Sequence, residues 1–199
     1  MEAERSKVMR IGVLAVQGAF AEHIRRAEEL GVECVELRQG LDLEQPFDGL
    51  ILPGGESTVQ GKLIRELDMY DRLKERIADG LPVLATCAGL ILLAEKIVDS
   101  DMVHFGTLPA VVRRNAYGRQ LGSFYAEEEF GDLGKIPMTF IRAPYIEEAK
   151  PGVEVLARVD GHIAGVRYKN QIAVSFHPEL DRNPVIHRMF IEMCGKEYM

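Results

Sequence analysis

The sequence predicts an α/β fold of three layers: a mostly parallel central sheet flanked by helices, with antiparallel strands added in the C-terminal half. In the first half, short runs rich in Ile, Val and Leu, typical of strands buried on both faces, alternate with helical patterns. Beyond about residue 105, strand patterns follow one another through short turns. The 199 residues contain no linker, repeat or low-complexity stretch, so we expect one domain over 1–199, with 1–8 as a flexible extension.

The first half repeats a strand–turn–helix unit. The opening strand ends at Gln17-Gly18, and apolar residues then recur at helical spacing from Phe20 until Gly31, a glycine typical of a helix end. The patterns of this half predict strands over 10–16, 32–37, 48–52 and 81–86, and helices over 19–30, 58–67 and 69–79.

The second half is dominated by strand patterns, over 106–113, 123–129, 138–141, 153–158, 162–168 and 171–176. Lys169-Asn170 fits a hairpin turn between the last two strands, because Asn tolerates the positive φ that such turns require. A final helix is predicted over 184–194, with Asn183 as N-cap, Pro184 in the first position and Gly195 at the end.

Charge and cysteine content exclude several functional classes. A net charge of -7 argues against nucleic acid or an anionic membrane as the main partner. Cys34, Cys87 and Cys194 are too widely spaced for a disulfide framework or a zinc site. The acidic N-terminus and the lack of an apolar run of roughly 20 residues favour the cytoplasm.

Most histidines and two cysteines show no pattern of metal ligands. We expect no metal and no other cofactor, and structural roles for these residues, which are Cys34, Cys194, His23, His104, His162 and His187.

One cysteine stands at the end of the fourth predicted strand. Cys87 lies between an apolar strand and an apolar helix-forming stretch, as in a nucleophile elbow, where a sharp turn exposes a side chain at a helix N-terminus. The helix dipole favours the thiolate, which is the attacking form of a cysteine. The alternative is a small buried apolar residue, the commoner role of cysteine.

Two glycines follow the third predicted strand. Gly54 and Gly55 let the backbone approach a ligand closely and leave peptide N–H groups free to bind an anion. The run lacks the lysine of a phosphate loop and the dinucleotide-binding fingerprint. We expect an oxyanion hole from the N–H groups of Gly55 and Ala88, with a plain tight turn as the alternative.

A histidine and a glutamate follow the last predicted strand. Side chains two residues apart on an extended chain share a side, so Glu179 can accept the Nδ1–H of His177 and orient the ring toward Cys87. His177 would then take the thiol proton and later protonate the leaving amine. Taken alone, the His-Pro-Glu run also fits a surface turn.

The three motifs fall at the carboxyl ends of predicted parallel strands, where open α/β sheets bind ligands. Together they resemble the class I (triad-type) glutamine amidotransferases, which have a flavodoxin-like fold, and among them the PdxT/SNO family of glutaminase subunits of pyridoxal 5'-phosphate synthase. The resemblance extends from about Arg10 to the last helix, through residues 12–18, 52–58, 86–89, 113–120, 140–144 and 176–179. One departure is Ala85, where the family usually carries glycine.

The resemblance implies a set of site residues. The catalytic residues would be Cys87, His177 and Glu179, and the glutamine-binding residues would be Gly55, Glu56, Ser57, Arg114, Ile141 and Arg142. Arginine and glutamate side chains suit the carboxylate and the ammonium of a free amino acid. The family pattern also brings Gln17-Gly18 to the site.

The resemblance also implies an activity and a partner. The chain would hydrolyse L-glutamine to L-glutamate and ammonia through a thioester, and pass the ammonia to a ring-shaped synthase subunit that makes pyridoxal 5'-phosphate. The reaction classes expected from it are hydrolase and lyase. The isolated subunit is expected to be poorly active until docking orders the oxyanion hole.

Three alternatives stay open from the sequence. The chain could be a class I glutaminase of another pathway, such as histidine or nucleotide synthesis. It could be a non-catalytic regulatory module of the same fold, although intact Cys87, His177 and Glu179 speak against this. It could also be a cysteine peptidase or redox chaperone on the same scaffold, which the Gly-Gly-Glu-Ser-Thr turn disfavours.

Overall fold

A computed structural model of the protein describes residues 8–114 and 122–195. Residues 1–7 of the predicted extension and residues 115–120 of the resembling run 113–120 lie outside this description. None of the described helices has the length and apolar character that a membrane crossing requires.

The elements alternate between strand and helix in the first half and are mainly strands afterwards. The strands are β1 (Arg10–Leu14), β2 (Glu33–Leu37), β3 (Gly49–Leu52), β4 (Val83–Thr86), β5 (Ala94–Ile97), β6 (Leu108–Arg113), β7 (Ser123–Glu129), β8 (Lys135–Ile141), β9 (Tyr145–Ala149), β10 (Glu154–Val159), β11 (His162–Tyr168) and β12 (Gln171–Val174). The helices are α1 (Phe20–Glu29), α2 (Ser57–Glu66), α3 (Tyr70–Ala78), α4 (Ala88–Leu93) and α5 (Val185–Gly195), with 3-10 turns at Gly40–Glu44 and Gly131–Leu133.

The described strands form a ten-stranded sheet in the order β2-β1-β3-β4-β12-β11-β9-β6-β5, in which β10 pairs with β11, and a separate β7-β8 hairpin. The pairs from β2 through β12 are parallel. The strands beyond β12 pair antiparallel, except that β5 and β6 are parallel. The sheet therefore has a parallel half and a mainly antiparallel half, as predicted.

Two apolar cores lie on opposite faces of the sheet, because successive side chains of a strand point to opposite sides. Leu50 and Leu52 of β3 join the core with α2, α3 and α4, whereas Ile51 joins the other core with α1 and α5. The β7-β8 hairpin contributes Met138 and Phe140 to that second core. Helices on both faces confirm the three-layer class.

The elements follow the predicted bounds closely, with some differences. The hairpin between β11 and β12 is present, but its positive φ of 50° is at Lys169 and not at the Asn. Val185 N–H donates to Asn183 Oδ1 at 3.1 Å, which confirms the cap of α5. The sequence did not predict β5, β9 or the 3-10 turns. A single domain over 1–199 stays a prediction.

Candidate active site

The three motifs meet because their strands are neighbours. β3, β4 and β12 are adjacent and parallel, so their carboxyl ends lie at one edge of the sheet. The residues after them are Gly54-Gly55, Cys87 and His177 respectively. The fold thus brings together segments that are far apart in the chain, at the edge where open α/β sheets hold their ligands.

Cys87 occupies a sharp turn between β4 and α4. Its φ is 48°, a left-handed conformation that is uncommon for a residue other than glycine, and its N–H donates to Val174 O at 2.8 Å. Gly89 permits the tight packing of α4, because a side-chain carbon there would collide with Leu52 O. Ala85, the departure from the family pattern, is a fully buried β4 residue in register with its neighbours. Alanine is therefore accommodated at this elbow.

Gly54 is required at its position by the histidine. A side-chain carbon on Gly54 would lie 3.0 Å from His177 Nδ1 and 3.4 Å from Cys87 Cβ, and closer still to His177 Cε1. The Gly54 carbonyl accepts a hydrogen bond from Ala19 N–H at 3.0 Å. Gly18 makes that approach possible, because a side chain there would overlap the Gly54 carbonyl.

His177 and Glu179 form a buried pair. His177 Nδ1 lies 2.6 Å from Glu179 Oε1, and Glu179 is fully buried while His177 is 7% exposed. The histidine backbone is held by Thr139 O, which accepts its N–H at 2.8 Å. Since Nδ1 bonds to the carboxylate, Nε2 is the nitrogen left to act on Cys87, whose interaction with the ring contributes to the raised pKa of His177.

The electrostatics of this pair favour an imidazolium. Burial opposes protonation of His177, but the hydrogen bonds and charges of Cys87 and Glu179 outweigh burial and raise its pKa to about 10. Burial also acts to raise the pKa of Glu179, yet His23 and His177 hold that pKa below its usual value. At neutral pH the site therefore contains a protonated His177 beside an ionised Glu179.

The catalytic candidates open onto a cavity of about 340 Å³. Every catalytic, oxyanion-hole and glutamine-binding residue predicted from the sequence lines it except Glu179, which lies behind His177. The predicted residues in its wall are Gly55, Glu56, Ser57, Cys87, Ala88, Arg114, Ile141, Arg142 and His177. Gln17, Thr58, Ile91 and Pro144 complete the lining.

The rim of the cavity carries opposite charges. Arg142 Nη2 lies 3.8 Å from Glu56 Oε1, with both side chains mostly exposed. Arg114 Nη1 donates to Thr58 Oγ1 at 3.3 Å. A zwitterion entering here finds cations for its carboxylate and an anion for its ammonium.

Gln17 links the first strand to the glycine turn. Its Oε1 accepts the N–H of Glu56 at 2.9 Å, and its backbone carbonyl accepts Gln60 Nε2 at 3.0 Å. Gln60 Nε2 also lies 3.2 Å from Pro53 O. This network fixes the turn that carries Gly55, one of the two residues expected to form the oxyanion hole.

His23 and His187, predicted from the sequence to have structural roles, lie next to the site. In the fold, His23 Nε2 lies 3.3 Å from Glu179 Oε2 and His23 Nδ1 lies 2.9 Å from His187 Nε2. The only local signal was a histidine on the buried face of each helix. Within 8–114 and 122–195, no cluster of three or more His, Cys, Asp or Glu side chains could hold a metal ion.

The three-layer fold, with a cysteine elbow and a His-Glu pair on adjacent parallel strands, is that of the class I glutamine amidotransferases. The SNO glutamine amidotransferase family model matches residues 13–196. The chain belongs to this family.

Curated relatives agree over nearly the whole chain. The chain is 67% identical over 184 residues to "Pyridoxal 5'-phosphate synthase subunit PdxT" of Desulfitobacterium hafniense strain Y51, covering 92% of each chain. It is 55% identical over 192 residues to the protein of that name from Streptococcus pneumoniae strain CGSP14, covering 95% of this chain and 99% of the relative.

Solved structures show the same fold. A crystal structure of a glutamine amidotransferase has a TM-score of 0.88 at 45% identity, covering 93% of this chain and 98% of that one. A putative GMP synthase subunit from Thermoplasma acidophilum has a TM-score of 0.69 at 23% identity, covering 96% of each, and shows the fold alone.

One expectation is corrected by these findings. The reaction class lyase is wrong for this chain, because the matching family is one of glutamine amidotransferases and the relatives are the corresponding subunit. Splitting the side-chain amide of glutamine is hydrolysis, so hydrolase is the class that remains.

Proposed function

We propose that Cys87, His177 and Glu179 hydrolyse L-glutamine to L-glutamate and ammonia. The observation that carries this proposal is the 2.6 Å contact of His177 Nδ1 with Glu179 Oε1, beside a cavity that Cys87 shares. A histidine oriented by a carboxylate and facing a cysteine is the arrangement of a nucleophilic amide hydrolase. Every group that the reaction requires is present in the chain, so the chemistry proceeds without a cofactor.

Glutamine binds with its two charged groups at the rim of the cavity. Arg114 and Arg142 attract the α-carboxylate, and Glu56 attracts the α-ammonium. Gly55, Ser57 and Ile141 line the same cavity and contact the rest of the molecule. The side-chain amide then reaches Cys87 at the inner end.

The first half of the reaction is thioester formation. Cys87 Sγ, paired as a thiolate with the His177 imidazolium, attacks the amide carbon, and the resulting oxyanion accepts hydrogen bonds from the N–H groups of Gly55 and Ala88. The attack consumes the negative charge on sulfur, which was one cause of the raised pKa of His177. The imidazolium therefore becomes a stronger acid when the amine needs its proton, and ammonia leaves.

The second half is hydrolysis of the thioester. Neutral His177 takes a proton from water, the hydroxide attacks the thioester carbon, and the tetrahedral intermediate again binds to the oxyanion hole. Collapse releases glutamate and restores Cys87 with the protonated His177. Glu179 stabilises the imidazolium at both stages.

The ammonia passes to a synthase subunit that builds pyridoxal 5'-phosphate. The relatives reported above are named as subunits of that synthase, which supports this partner over the histidine and nucleotide pathways. The assembled enzyme works in the cytoplasm, and docking on the synthase completes the oxyanion hole. We also propose that 1–199 is a single glutaminase domain.

Glutamate release tests this function. The chain is assayed alone and with the synthase subunit, and we expect weak activity alone, strong activation by the partner and no activity in Cys87→Ala. Cys34→Ala is the matched control, because burial and Glu28 raise the pKa of the Cys34 thiol to about 12 and it lies away from the cavity. Activity retained in Cys87→Ala would refute the mechanism, and equal activity with and without partner would refute the activation.

A further inference from the structure

Two buried histidines stand behind Glu179, on the side away from the cavity. His23 belongs to α1 and His187 to α5, and both are fully buried. His23 Nε2 lies 3.0 Å from Thr86 Oγ1 and 3.3 Å from Glu179 Oε2, and His23 Nδ1 lies 2.9 Å from His187 Nε2. The polar contacts thus continue from His177 through Glu179 to His23 and His187.

The negative charge of Glu179 determines which ring nitrogens of His23 and His187 carry a proton. An ionised carboxylate requires an N–H from a neighbouring ring and is repelled by a nitrogen lone pair. His23 therefore carries its proton on Nε2, facing Glu179 and Thr86. His23 Nδ1 is then an acceptor, which His187 satisfies by donating its Nε2–H. Each histidine fixes the tautomer of the next.

Both rings are neutral in this arrangement. Burial lowers the pKa of His23, and burial together with His23 lowers the pKa of His187 to about 3. The interaction with Glu179 is consequently an N–H dipole and not a second ion pair. A protonated His23 would form a second ion pair with Glu179 and weaken the ion pair of Glu179 with His177. A neutral His23 orients the carboxylate without weakening that ion pair.

Other polar groups surround this pair. Arg26 on α1 donates its Nε–H to the backbone carbonyl of Glu179 at 3.3 Å, and Asp181 and His177 are the further titratable groups beside the carboxylate. Glu22 on α1 faces His23. Glu179 Oε2 makes no well-aligned hydrogen bond within the described residues, and His23 Nε2 lies 3.3 Å from it, whereas His177 bonds to Oε1.

Packing alone does not explain two histidines here. Apolar side chains of similar size would fill the space between α1, α5 and the sheet without the cost of desolvating imidazole nitrogens. The contact to Thr86 adds a second link, since Thr86 directly precedes Cys87 in the chain. The His23 ring thereby contacts both Thr86, which precedes the nucleophile, and Glu179, the carboxylate of the triad.

We infer that His23 and His187 are positioning residues that hold the Glu179 carboxylate, through a fixed chain of N–H donors, in the orientation that His177 requires. This inference rests on the triad proposed above. His23 acts on Glu179 directly, and His187 acts by keeping the proton of His23 on Nε2.

Loss of the His23 N–H is expected to shift the pH dependence of the reaction in one direction. Without the His23 Nε2–H 3.3 Å from Oε2, the buried Glu179 carboxylate is less stable, so its pKa rises from its depressed value. As the pH falls, Glu179 is then protonated earlier, and His177 loses the charge that stabilises its imidazolium. The acid limb of the kcat profile, and the acid limb of Cys87 alkylation, both move to higher pH.

The test compares His23→Leu, His23→Gln and a control in the complete complex with the synthase. For His23→Leu we expect kcat to fall about 10- to 100-fold, KM to change less than about twofold, and the acid limb to move up. His23→Gln offers an amide N–H to the carboxylate and recovers most of kcat. His104→Leu removes another buried histidine, packed on Gly61 of α2, and leaves the acid limb in place.

The same variants can be compared without the partner. The rate of Cys87 alkylation by iodoacetamide is measured by mass spectrometry at a series of pH values. An acid limb in His23→Leu that coincides with that of the wild type and of His104→Leu would overturn the inference. If Cys87→Ala is inactive at the same time, the proposed glutaminase function still stands. Failure of the positioning role is therefore distinguishable from failure of the proposed function.

Imidazole nitrogen NMR of the unmodified protein covers the case in which His23→Leu does not fold. The expected spectrum has His23 and His187 neutral and protonated on Nε2. A proton on Nδ1 of His23, or a positively charged His23 at neutral pH, would overturn the inference.

Discussion

Replacing Gly54 by alanine tests the packing of the site, because no reacting group is removed. The new methyl carbon would lie well inside the contact distance of His177 Cε1, since carbon atoms in contact are about 3.5 to 4.0 Å apart. His177 must therefore withdraw by about 1 Å, and a displacement of that size at a reacting group costs about 100-fold in rate. That factor corresponds to about 2.7 kcal/mol of lost transition-state stabilisation.

The assay is glutamate release by the complex with the synthase, with a thermal melt of each variant. Gly195→Ala is the matched control, because within the described part of the chain its added methyl meets Met9 alone, at 3.5 Å, far from the cavity. We expect Gly54→Ala to remain folded and lose about 100-fold in kcat/KM, and Gly195→Ala to keep full activity. A Gly54→Ala activity within about threefold of the wild type would refute the steric account of the Gly54–His177 contact.

Three further predictions concern the triad, the rim and the core. In Glu179→Gln the imidazolium loses its anionic partner, so the pKa of His177 falls from about 10 and kcat falls by about 100-fold or more. A pH–rate profile measures both effects. An unchanged alkaline limb would contradict the assignment of Glu179 as the partner of His177. Arg142→Ala should raise KM for glutamine about tenfold with little change in kcat, and the distant, exposed Arg158→Ala should change neither. Phe190→Ala, in the core beneath α5, should lower the free energy of unfolding by about 3 to 5 kcal/mol in urea melts, and a loss below about 1 kcal/mol would be inconsistent with its full burial.

The sequence predicted the elements that have a strong local signal. β3 and β4 are short apolar runs buried on both faces, and the hairpin before β12 has its turn residues in place. β5 and β9 were not predicted because charged residues interrupt them: Glu95 and Lys96 in the first, Glu147 and Glu148 in the second. Those side chains face outward, so the strands lack a continuous apolar run.

The site was predictable as three motifs but not as a geometry. Cys87, His177 and the Gly54 turn were each recognised at a strand end, yet only the insertion of β12 beside β4 brings His177 to the cysteine. The contact of His23 with His187 joins residues 164 positions apart, and each alone is an ordinary residue on the buried face of a helix. Such long-range pairing follows from sheet order and helix packing, which local patterns do not encode.

Covalent labelling of the chain shows which cysteine is the nucleophile of the glutamine site. A glutamine-analogue electrophile occupies the cavity and alkylates the nucleophile, and peptide mass spectrometry then locates the adduct. We expect one adduct on Cys87, none on Cys34 or the buried Cys194, and protection by excess L-glutamine. An adduct on either other cysteine, or labelling of Cys87 that glutamine does not slow, would contradict the assignment of Cys87 as the nucleophile.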